Sequence, residues 1–152
     1  MQVVELTHDK GSVCREILAS LPGWFGIPES NAAYARDVET LPMFGVIENG
    51  SVAGFLALKQ QSPQAWEIHV MGVRPQRHRS GVGRVLVGRA KRHSLEKGAR
   101  FLTVKTLSSN DPDPGYAKTR AFYGAMGFVA IAELPELGGP ENPTVLMLKV
   151  LA

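Results

Sequence analysis

Residues 67–87, EIHVMGVRPQRHRSGVGRVLV, take the chain from a strand through a basic, glycine-containing turn directly into a helix. The free N–H groups and the dipole of a helix N-terminus both attract phosphate groups. Gly81 and Gly83 let a ligand approach the backbone closely, because glycine carries no side chain. The stretch therefore predicts a phosphate-binding turn between a strand and a helix.

Positive side chains are concentrated at the same turn. Without an anion the start of this helix would carry an excess of positive charge, and arginine forms strong hydrogen bonds with phosphate oxygens. We expect a pyrophosphate group to neutralise that charge. The arginines are Arg74, Arg77, Arg79 and Arg84.

Two other glycine-rich phosphate-binding turns do not fit the sequence. A dinucleotide-binding fingerprint needs a third glycine three positions after the second, where this chain has Leu86. A P-loop needs Gly-Lys followed by Ser or Thr, and this triplet does not occur in the chain. The turn therefore belongs to another class of anion-binding site.

Hydrophobic periodicity on both sides of the turn predicts an alternation of strands and helices. Asn49-Gly50 is a strong two-residue hairpin signal, since both residues tolerate positive φ. Ser30 or Asn31 is the expected N-cap of the second helix. Polar loops are expected at 60–64, 110–115 and 135–143. The predicted strands are 2–6, 44–48, 51–59, 65–73, 101–106, 128–133 and 144–151, and the predicted helices are 9–20, 30–38, 80–97 and 116–126.

Composition limits the class of protein. The 152 residues are 44% hydrophobic, which suits a single domain over residues 1–152, and the net charge of +3 is too small to indicate nucleic-acid binding. No apolar run is long enough for a membrane span. Cys14 is the only cysteine, so an internal disulfide or a cysteine-based zinc site is excluded. We expect a reducing, cytoplasmic setting, and we expect Cys14 to be buried as a core packing residue.

The element order and two motifs resemble the GNAT family of N-acetyltransferases. The family's cofactor motif follows a strand that ends in Val-x-Pro, and here His78, Gly81 and Gly83 follow Val73-Arg74-Pro75, with His78 in place of Gln or Arg. The second hallmark is a late Tyr followed four residues on by Gly-Phe, found here as Tyr123, Gly127 and Phe128. The resemblance covers essentially the whole chain. It implies an α/β GNAT acyltransferase fold with a mixed central sheet of about seven strands and four flanking helices.

The resemblance also implies how acetyl-CoA is held and used. Backbone groups of the fourth strand would bind the acetyl carbonyl and pantetheine, and the turn would bind the pyrophosphate. Glu67 would be the general base, since an acceptor amine with a reference pKa of about 8 to 10.4 must lose a proton. Tyr123 would be the general acid for the CoA thiolate. The cofactor-binding residues implied are Met71, Gly72, Val73, His78, Arg79, Ser80, Gly81, Val82, Gly83 and Arg84.

Each catalytic assignment has an alternative. Glu67 could be a solvated carboxylate or an ion-pair partner, and His69, on the same face by the strand period of two, is the reserve base. Tyr123 could only position the sulfur. The resemblance places the acceptor near Trp24, Phe25 and Glu29, although the two aromatic residues could equally cap the core.

The loop after the fifth strand departs from the family pattern. The position where family members often have an asparagine is Tyr116, so that contact is not transferred. Asp111 and Asp113 would favour a cationic acceptor, or lie in a solvated loop.

The sequence as a whole predicts transfer of acetyl from acetyl-CoA to a primary amine in a ternary complex, without metal. The acceptor would be a small molecule or a peptide, nucleic acid and membrane are not expected partners, and a homodimer is a family-level expectation. The alternatives are a noncatalytic acyl-CoA sensor or an interaction module on the same scaffold.

Overall fold

The computed structural model describes residues 1–107, 114–135, 137 and 143–151 of the 152-residue chain. These residues form seven strands and four α-helices, together with 3-10 helices at Val38–Thr40 and Pro75–Arg77. The strands are β1 (Gln2–Glu5), β2 (Met43–Glu48), β3 (Ser51–Ser62), β4 (Ala65–Val73), β5 (Phe101–Leu107), β6 (Val129–Leu134) and β7 (Thr144–Val150). The helices are α1 (Lys10–Ala19), α2 (Pro28–Asp37), α3 (Val82–Glu96) and α4 (Pro114–Ala125).

The seven strands form one sheet in the order β1-β2-β3-β4-β5-β7-β6. β2 pairs antiparallel with β1 and β3, and β7 pairs antiparallel with β5 and β6. The predicted hairpin is present, because Asn49 and Gly50 have φ values of 51° and 78° and Glu48 lies opposite Ser51. The sheet, the helices and their order along the chain confirm the predicted α/β fold class.

The second helix begins earlier than the sequence predicts. Ser30 and Asn31 were the expected N-caps, but α2 begins at Pro28 and its N-cap is Ile27 in an extended conformation. Proline suits the first helical position, because its φ is already helical and its missing N–H would have no partner there. Asn31 instead donates from Nδ2 to the carbonyl of Phe25 at 2.8 Å, which ties the preceding loop to the helix.

Two other boundaries differ from the prediction. β3 continues to Ser62, so the polar loop expected over 60–64 shrinks to a two-residue turn at Pro63-Gln64. α4 begins at Pro114 rather than at Tyr116, again with proline at a helix start. The predicted loops over 110–115 and 135–143 fall largely on residues 108–113, 136 and 138–142, which lie outside the described residues.

Contacts divide the chain into two compact units, of which the first comprises Met1–Lys59 and Ile68–His93. In this unit α1 and α2 pack with β2, β3 and β4 into an apolar core. Each large apolar side chain buried there contributes about 1.5–3 kcal/mol to folding. The buried core residues are Cys14, Ile17, Leu18, Leu21, Ala35, Val38, Met43, Phe55, Ala57 and Val70, and they include Cys14 as predicted.

Glycines in this unit allow helices to approach the sheet closely. A Cβ atom on Gly54 of β3 would lie 2.8 Å from Cγ1 of Val82, the first residue of α3. A Cβ atom on Gly72 of β4 would lie 3.1 Å from Cγ2 of Ile17 in α1. Direct packing on Gly54 therefore fixes where α3 starts relative to β3, and with it the position of the basic turn.

The second unit comprises Gln60–Glu67 and Ser94–Ala152. Its strand β5 pairs with β7 along its whole length, from Phe101 opposite Val150 to Leu107 opposite Thr144. The prediction of one domain over residues 1–152 stays a prediction. The buried apolar residues of β5, α4, β7 and the segment after α4 include Leu102, Val104, Tyr123, Phe128, Val145 and Met147.

Candidate active site

The basic turn ends in an open helix N-terminus. α3 begins at Val82, two residues later than predicted, and its first backbone hydrogen bond runs from the N–H of Val85 to the carbonyl of Gly81 at 3.0 Å. The preceding N–H groups have no carbonyl one turn back within the helix. Arg79 and Gly81 have φ values of 61° and 92°, and this left-handed conformation turns the chain into the helix. The geometry suits the predicted anion site.

Two of the four arginines at the turn have their counter-charge inside the protein. Arg77 binds Glu48 with both ends of its guanidinium, from Nε to Oε1 at 2.6 Å and from Nη2 to Oε2 at 2.8 Å. Arg74 donates from Nε to the carbonyl of Val52 at 2.7 Å and from Nη2 to Glu16 Oε1 at 3.2 Å. This corrects the expectation that all four arginines need an external anion.

Arg79 and Arg84 are the two arginines that remain for a ligand. Both are exposed, and neither has a side-chain partner within the part of the chain that the structure describes. Space is also free at the glycine between them, since a Cβ atom on Gly81 would have only Met1 Cε within 4 Å, at 3.8 Å. Two free guanidinium groups and a set of free N–H groups therefore fit a pyrophosphate.

His78, which replaces the family's Gln or Arg, turns back onto the strand. Its Nε2 donates to the carbonyl of Val73 at 2.7 Å, and its ring meets Trp24 edge-on with the ring centroids 5.8 Å apart. A carbonyl oxygen has two lone pairs, so Val73 keeps one for a ligand. Ser80 is also tied within the turn, because its Oγ donates to the carbonyl of Arg77.

Three of the residues predicted to bind the cofactor differ in how accessible they are. Val82 is fully buried against Gly54, and Gly72 is buried against α1. These two residues therefore pack inside the protein and are not accessible to a ligand through their side-chain positions. Met71, which directly precedes Gly72 on β4, is half-buried. Backbone atoms, rather than these side chains, are therefore what the strand can offer to a ligand.

Glu67, the predicted base, is buried and forms an ion pair. Its Oε2 lies 2.8 Å from Nζ of Lys105 on β5, and the two side chains are 10% and 39% exposed. Oε1 has no partner among the described residues. An ion pair was the predicted alternative for Glu67, but Lys105 was not predicted as its partner. The one signal for Lys105 in the sequence is a cation inside the apolar strand FLTVKTL.

Tyr123, the predicted acid, lies on α4 in an aromatic environment. Its residue is 5% exposed, and its ring contacts Phe122 and Phe128 with centroids 5.3 Å and 5.4 Å away. Burial raises the pKa of Tyr123, so the phenol keeps its proton at neutral and mildly alkaline pH. The N–H of Phe128 donates to the carbonyl of Tyr123 at 3.0 Å, which closes the helix end after the hallmark tyrosine.

His69, the reserve base, contacts two residues that were not predicted as its partners. Its Nε2 lies 2.8 Å from Oδ2 of Asp37, and its ring meets Tyr34 edge-on at 5.5 Å. Both partners come from α2, where a spacing of three residues places them on one helix face. That spacing is visible in the sequence, but the approach of α2 to β4 is not.

The residues predicted to surround the acceptor are divided between core and surface. Trp24 and Phe25 are partly buried and pack against the core of the first unit, and Phe25 also meets Tyr34 edge-on at 6.1 Å. Glu29 is exposed in the first turn of α2. Asp111 and Asp113 lie outside the described residues. Core packing is therefore part of what the two aromatic residues do.

Neither a metal-binding cluster nor a membrane-spanning helix is found among the described residues. No group of three or more His, Cys, Asp or Glu side chains could hold a metal ion in the described part of the chain. None of the described helices is both long and apolar enough to cross a membrane.

Known proteins resemble the chain in sequence pattern and in fold. The sequence profile of the acetyltransferase (GNAT) family matches residues 13–128. A comparison with curated protein sequences gives no significant match.

Solved structures share the fold over nearly the whole chain. A putative GNAT-family acetyltransferase from Desulfovibrio desulfuricans superposes with a TM-score of 0.85 at 20% identity, covering 99% of both chains. An aminoglycoside 6'-N-acetyltransferase complexed with coenzyme A gives 0.80 at 17% identity, covering 100% of this chain and 98% of the other. The ribosomal-protein-S18-alanine N-acetyltransferase from Escherichia coli gives 0.78 at 19% identity, covering 99% and 94%. At these identities the likeness shows a shared fold.

Proposed function

Since the chain belongs to the acetyltransferase (GNAT) family, whose profile matches residues 13–128, we propose that it transfers acetyl from acetyl-CoA to a primary amine of a small molecule or peptide. The observation that carries the proposal is the turn before α3. There, free N–H groups and the unpaired side chains of Arg79 and Arg84 lie in the segment that carries the family's cofactor motif. The amine attacks directly, with both substrates bound at once.

Acetyl-CoA is the co-substrate, and its thioester supplies an activated acyl group. The N–H groups of residues 79–84 and the guanidinium groups of Arg79 and Arg84 hold its pyrophosphate. The main chain of Met71, Gly72 and Val73 holds its pantetheine and acetyl carbonyl. A backbone donor at the thioester oxygen would stabilise the negative charge that develops there, which is worth about 3 kcal/mol in other enzymes.

Two side chains move protons in this proposal. Glu67 accepts a proton from the acceptor nitrogen through Oε1, because Oε2 is engaged by Lys105. Tyr123 gives its proton to the departing sulfur.

The acceptor class follows from chemistry that the named neighbours share. One acts on aminoglycosides and another on an alanine of a ribosomal protein, so both acylate an amine. We extend that class, and no particular member of it, to this chain. A homodimer, a single domain and a reducing cytoplasmic location complete the proposal, the last supported by the single buried Cys14.

The test is release of CoA thiol from acetyl-CoA across a panel of amino acids, polyamines, aminoglycosides and peptides with free N-termini. We expect release that depends on the amine, and a lower rate for Glu67→Gln in parallel. Calorimetry of CoA binding is the companion measurement. Tight CoA binding without turnover on any amine would reject the transferase in favour of an acyl-CoA sensor, and absence of CoA binding would favour an interaction module.

A further inference from the structure

His78 joins two parts of the first unit that are far apart in sequence. Its Nε2 lies 2.7 Å from the carbonyl oxygen of Val73 at the end of β4, and its ring meets the ring of Trp24 edge-on with the centroids 5.8 Å apart. A carbonyl oxygen only accepts hydrogen bonds, so Nε2 carries a proton. The side chain therefore connects the basic turn with residues 20–27, the α1–α2 loop.

CoA would contact the chain on both sides of His78 under the proposed function, on which this inference rests. The main chain of Val73 holds its pantetheine, and the N–H groups of residues 79–84 hold its pyrophosphate. His78 directly precedes the second group, and its side chain binds the carbonyl of the first. Bound CoA therefore restricts the backbone at the two points between which the His78 side chain is held.

The backbone next to His78 has a conformation that needs support from its surroundings. Arg79 has a φ of 61°, a region that is disfavoured for a residue with a Cβ atom. The N–H of His78 donates to the carbonyl of Pro75 at 3.3 Å, which is a local turn contact. The bond from Nε2 to the carbonyl of Val73 reaches further, back to β4. Loss of that bond should therefore loosen the turn that CoA is proposed to bind.

The α1–α2 loop is tied to the protein on both sides of its contact with His78. The N–H groups of Trp24 and Phe25 donate to the carbonyl of Leu21 at 3.1 Å and 2.9 Å. Asn31 donates from Nδ2 to the carbonyl of Phe25 at 2.8 Å. The ring contact between Trp24 and His78 adds a connection from the middle of the loop to the basic turn.

The contacts of His78 are weak enough for a ligand to shift. A neutral hydrogen bond changes an equilibrium by roughly 2- to 10-fold, and an aromatic edge contact changes it by a similar factor. His78 is exposed, so water competes for its ring nitrogens. A ligand that binds one position of this side chain more tightly than the others shifts the population toward that position.

We propose that His78 is a positioning residue that couples CoA binding at the basic turn to the order of the α1–α2 loop. Bound CoA favours the state in which His78 binds Val73 and contacts Trp24, and the loop becomes better ordered. Linkage requires the reverse as well, so the state with Trp24 against His78 binds CoA more tightly by the same factor. Trp24 and Phe25 are the predicted neighbours of the acceptor, so CoA binding arranges the loop that carries them.

A purely structural role for the same contact makes a different prediction. If His78 only packs on Trp24, removal of either ring lowers the stability of the protein whether or not CoA is present. Coupling, in contrast, makes the loop respond to CoA. It also makes the effect of a Trp24 substitution on CoA affinity depend on the presence of His78.

The first experiment measures amide hydrogen exchange by mass spectrometry, with and without CoA, in residues 23–27 and 79–84. In the unmodified protein we expect CoA to slow exchange in both segments. In His78→Ala, at a CoA concentration that gives equal occupancy, the slowing should persist at 79–84 and be lost at 23–27. His8→Ala is the matched control, because it makes the same change at another exposed histidine of the first unit, and it should behave as the unmodified protein.

The second experiment is a double-mutant cycle on CoA affinity, measured by calorimetry. Trp24→Leu keeps an apolar side chain for the core and removes the ring that meets His78. We expect Trp24→Leu to weaken CoA binding about threefold and His78→Ala about tenfold. The double variant should bind no more weakly than His78→Ala, because the two side chains act through one contact. His78→Gln restores a donor without a ring, so it should recover part of the affinity and none of the loop protection.

Loop protection by CoA that persists in His78→Ala would overturn the proposal, and so would additive losses in the cycle. Absence of loop protection in the unmodified protein, with residues 79–84 still protected, would overturn it as well, while the CoA site would stand. Absence of CoA binding to the unmodified protein would overturn the proposed function and this inference together.

Discussion

Tyr123 shows how a single side chain can keep a proton that catalysis needs. Burial against Phe122 and Phe128 raises its pKa, so the phenol stays neutral at neutral and mildly alkaline pH. We therefore expect Tyr123→Phe to lower kcat about 10²-fold with little change in the KM for acetyl-CoA, because it removes the proton and keeps the ring. We also expect kcat/KM of the unmodified protein to show no alkaline limb from this residue. Steady-state kinetics across pH would check both, and full turnover of Tyr123→Phe would contradict the acid role.

Cys14 should behave as an inert thiol. Burial raises its pKa from an ordinary 9.0 to about 12, so little reactive thiolate exists in the folded protein at pH 8. We expect slow labelling by a thiol reagent in buffer and fast labelling in urea. The raised pKa also determines how stability changes with pH. The contribution of the buried neutral thiol to the free energy of unfolding is complete below pH 9 and is lost as the pH rises toward 12. Fast labelling of the native protein would show that Cys14 is accessible.

Residue roles were predictable from sequence only where local pattern determines them. The positive φ of Asn49 and Gly50 follows from the two residue types, and the burial of Cys14 follows from its apolar helical neighbours. The partner of Glu67 did not follow, because Lys105 is far away in sequence and only the pairing of strands brings it near.

At the scale of elements, the helix start at α3 makes the CoA site testable. Gly83 is the second residue of α3, so a large side chain there would crowd a pyrophosphate held by the first-turn N–H groups. We expect Gly83→Leu to weaken CoA binding at least tenfold by calorimetry. Gly88→Leu is the matched control, since it makes the same change on the same helix and a Cβ atom there meets nothing within 4 Å. Equal affinity of the two variants for CoA would contradict the proposed pyrophosphate site at the start of α3.

Element boundaries show what local chemistry does and does not determine. Pro28 and Pro114 begin α2 and α4, and the preference of proline for the first helical position could have placed both starts correctly. The start of α3 is different, because Val82 packs on Gly54, a residue of a distant strand. Arg74 and Arg77 also depend on distant partners, so the sequence shows a cluster of charge and not which charges are already neutralised.

At the scale of the whole molecule, the element order and the fold class could be predicted, because helices and strands differ in the periodicity of their hydrophobic residues. The strand order could not be obtained from periods: β7 lies between β5 and β6, an arrangement that the pattern of a single strand does not encode. The resemblance to a family supplied the element order and the approximate number of strands, but the position of β7 in the sheet was not predicted.

The kinetic mechanism is a property of the whole molecule, because direct transfer needs both substrates bound together. We expect initial rates, measured while acetyl-CoA and amine are both varied, to give intersecting lines in double-reciprocal plots. We also expect no label to stay on the protein after incubation with acetyl-labelled acetyl-CoA alone. The chain's single cysteine, Cys14, is 0% exposed and so is not open to acetylation as a relay. Parallel lines together with a labelled protein would instead require a covalent acetyl-enzyme, and the role given to Glu67 would then apply only to its second half-reaction.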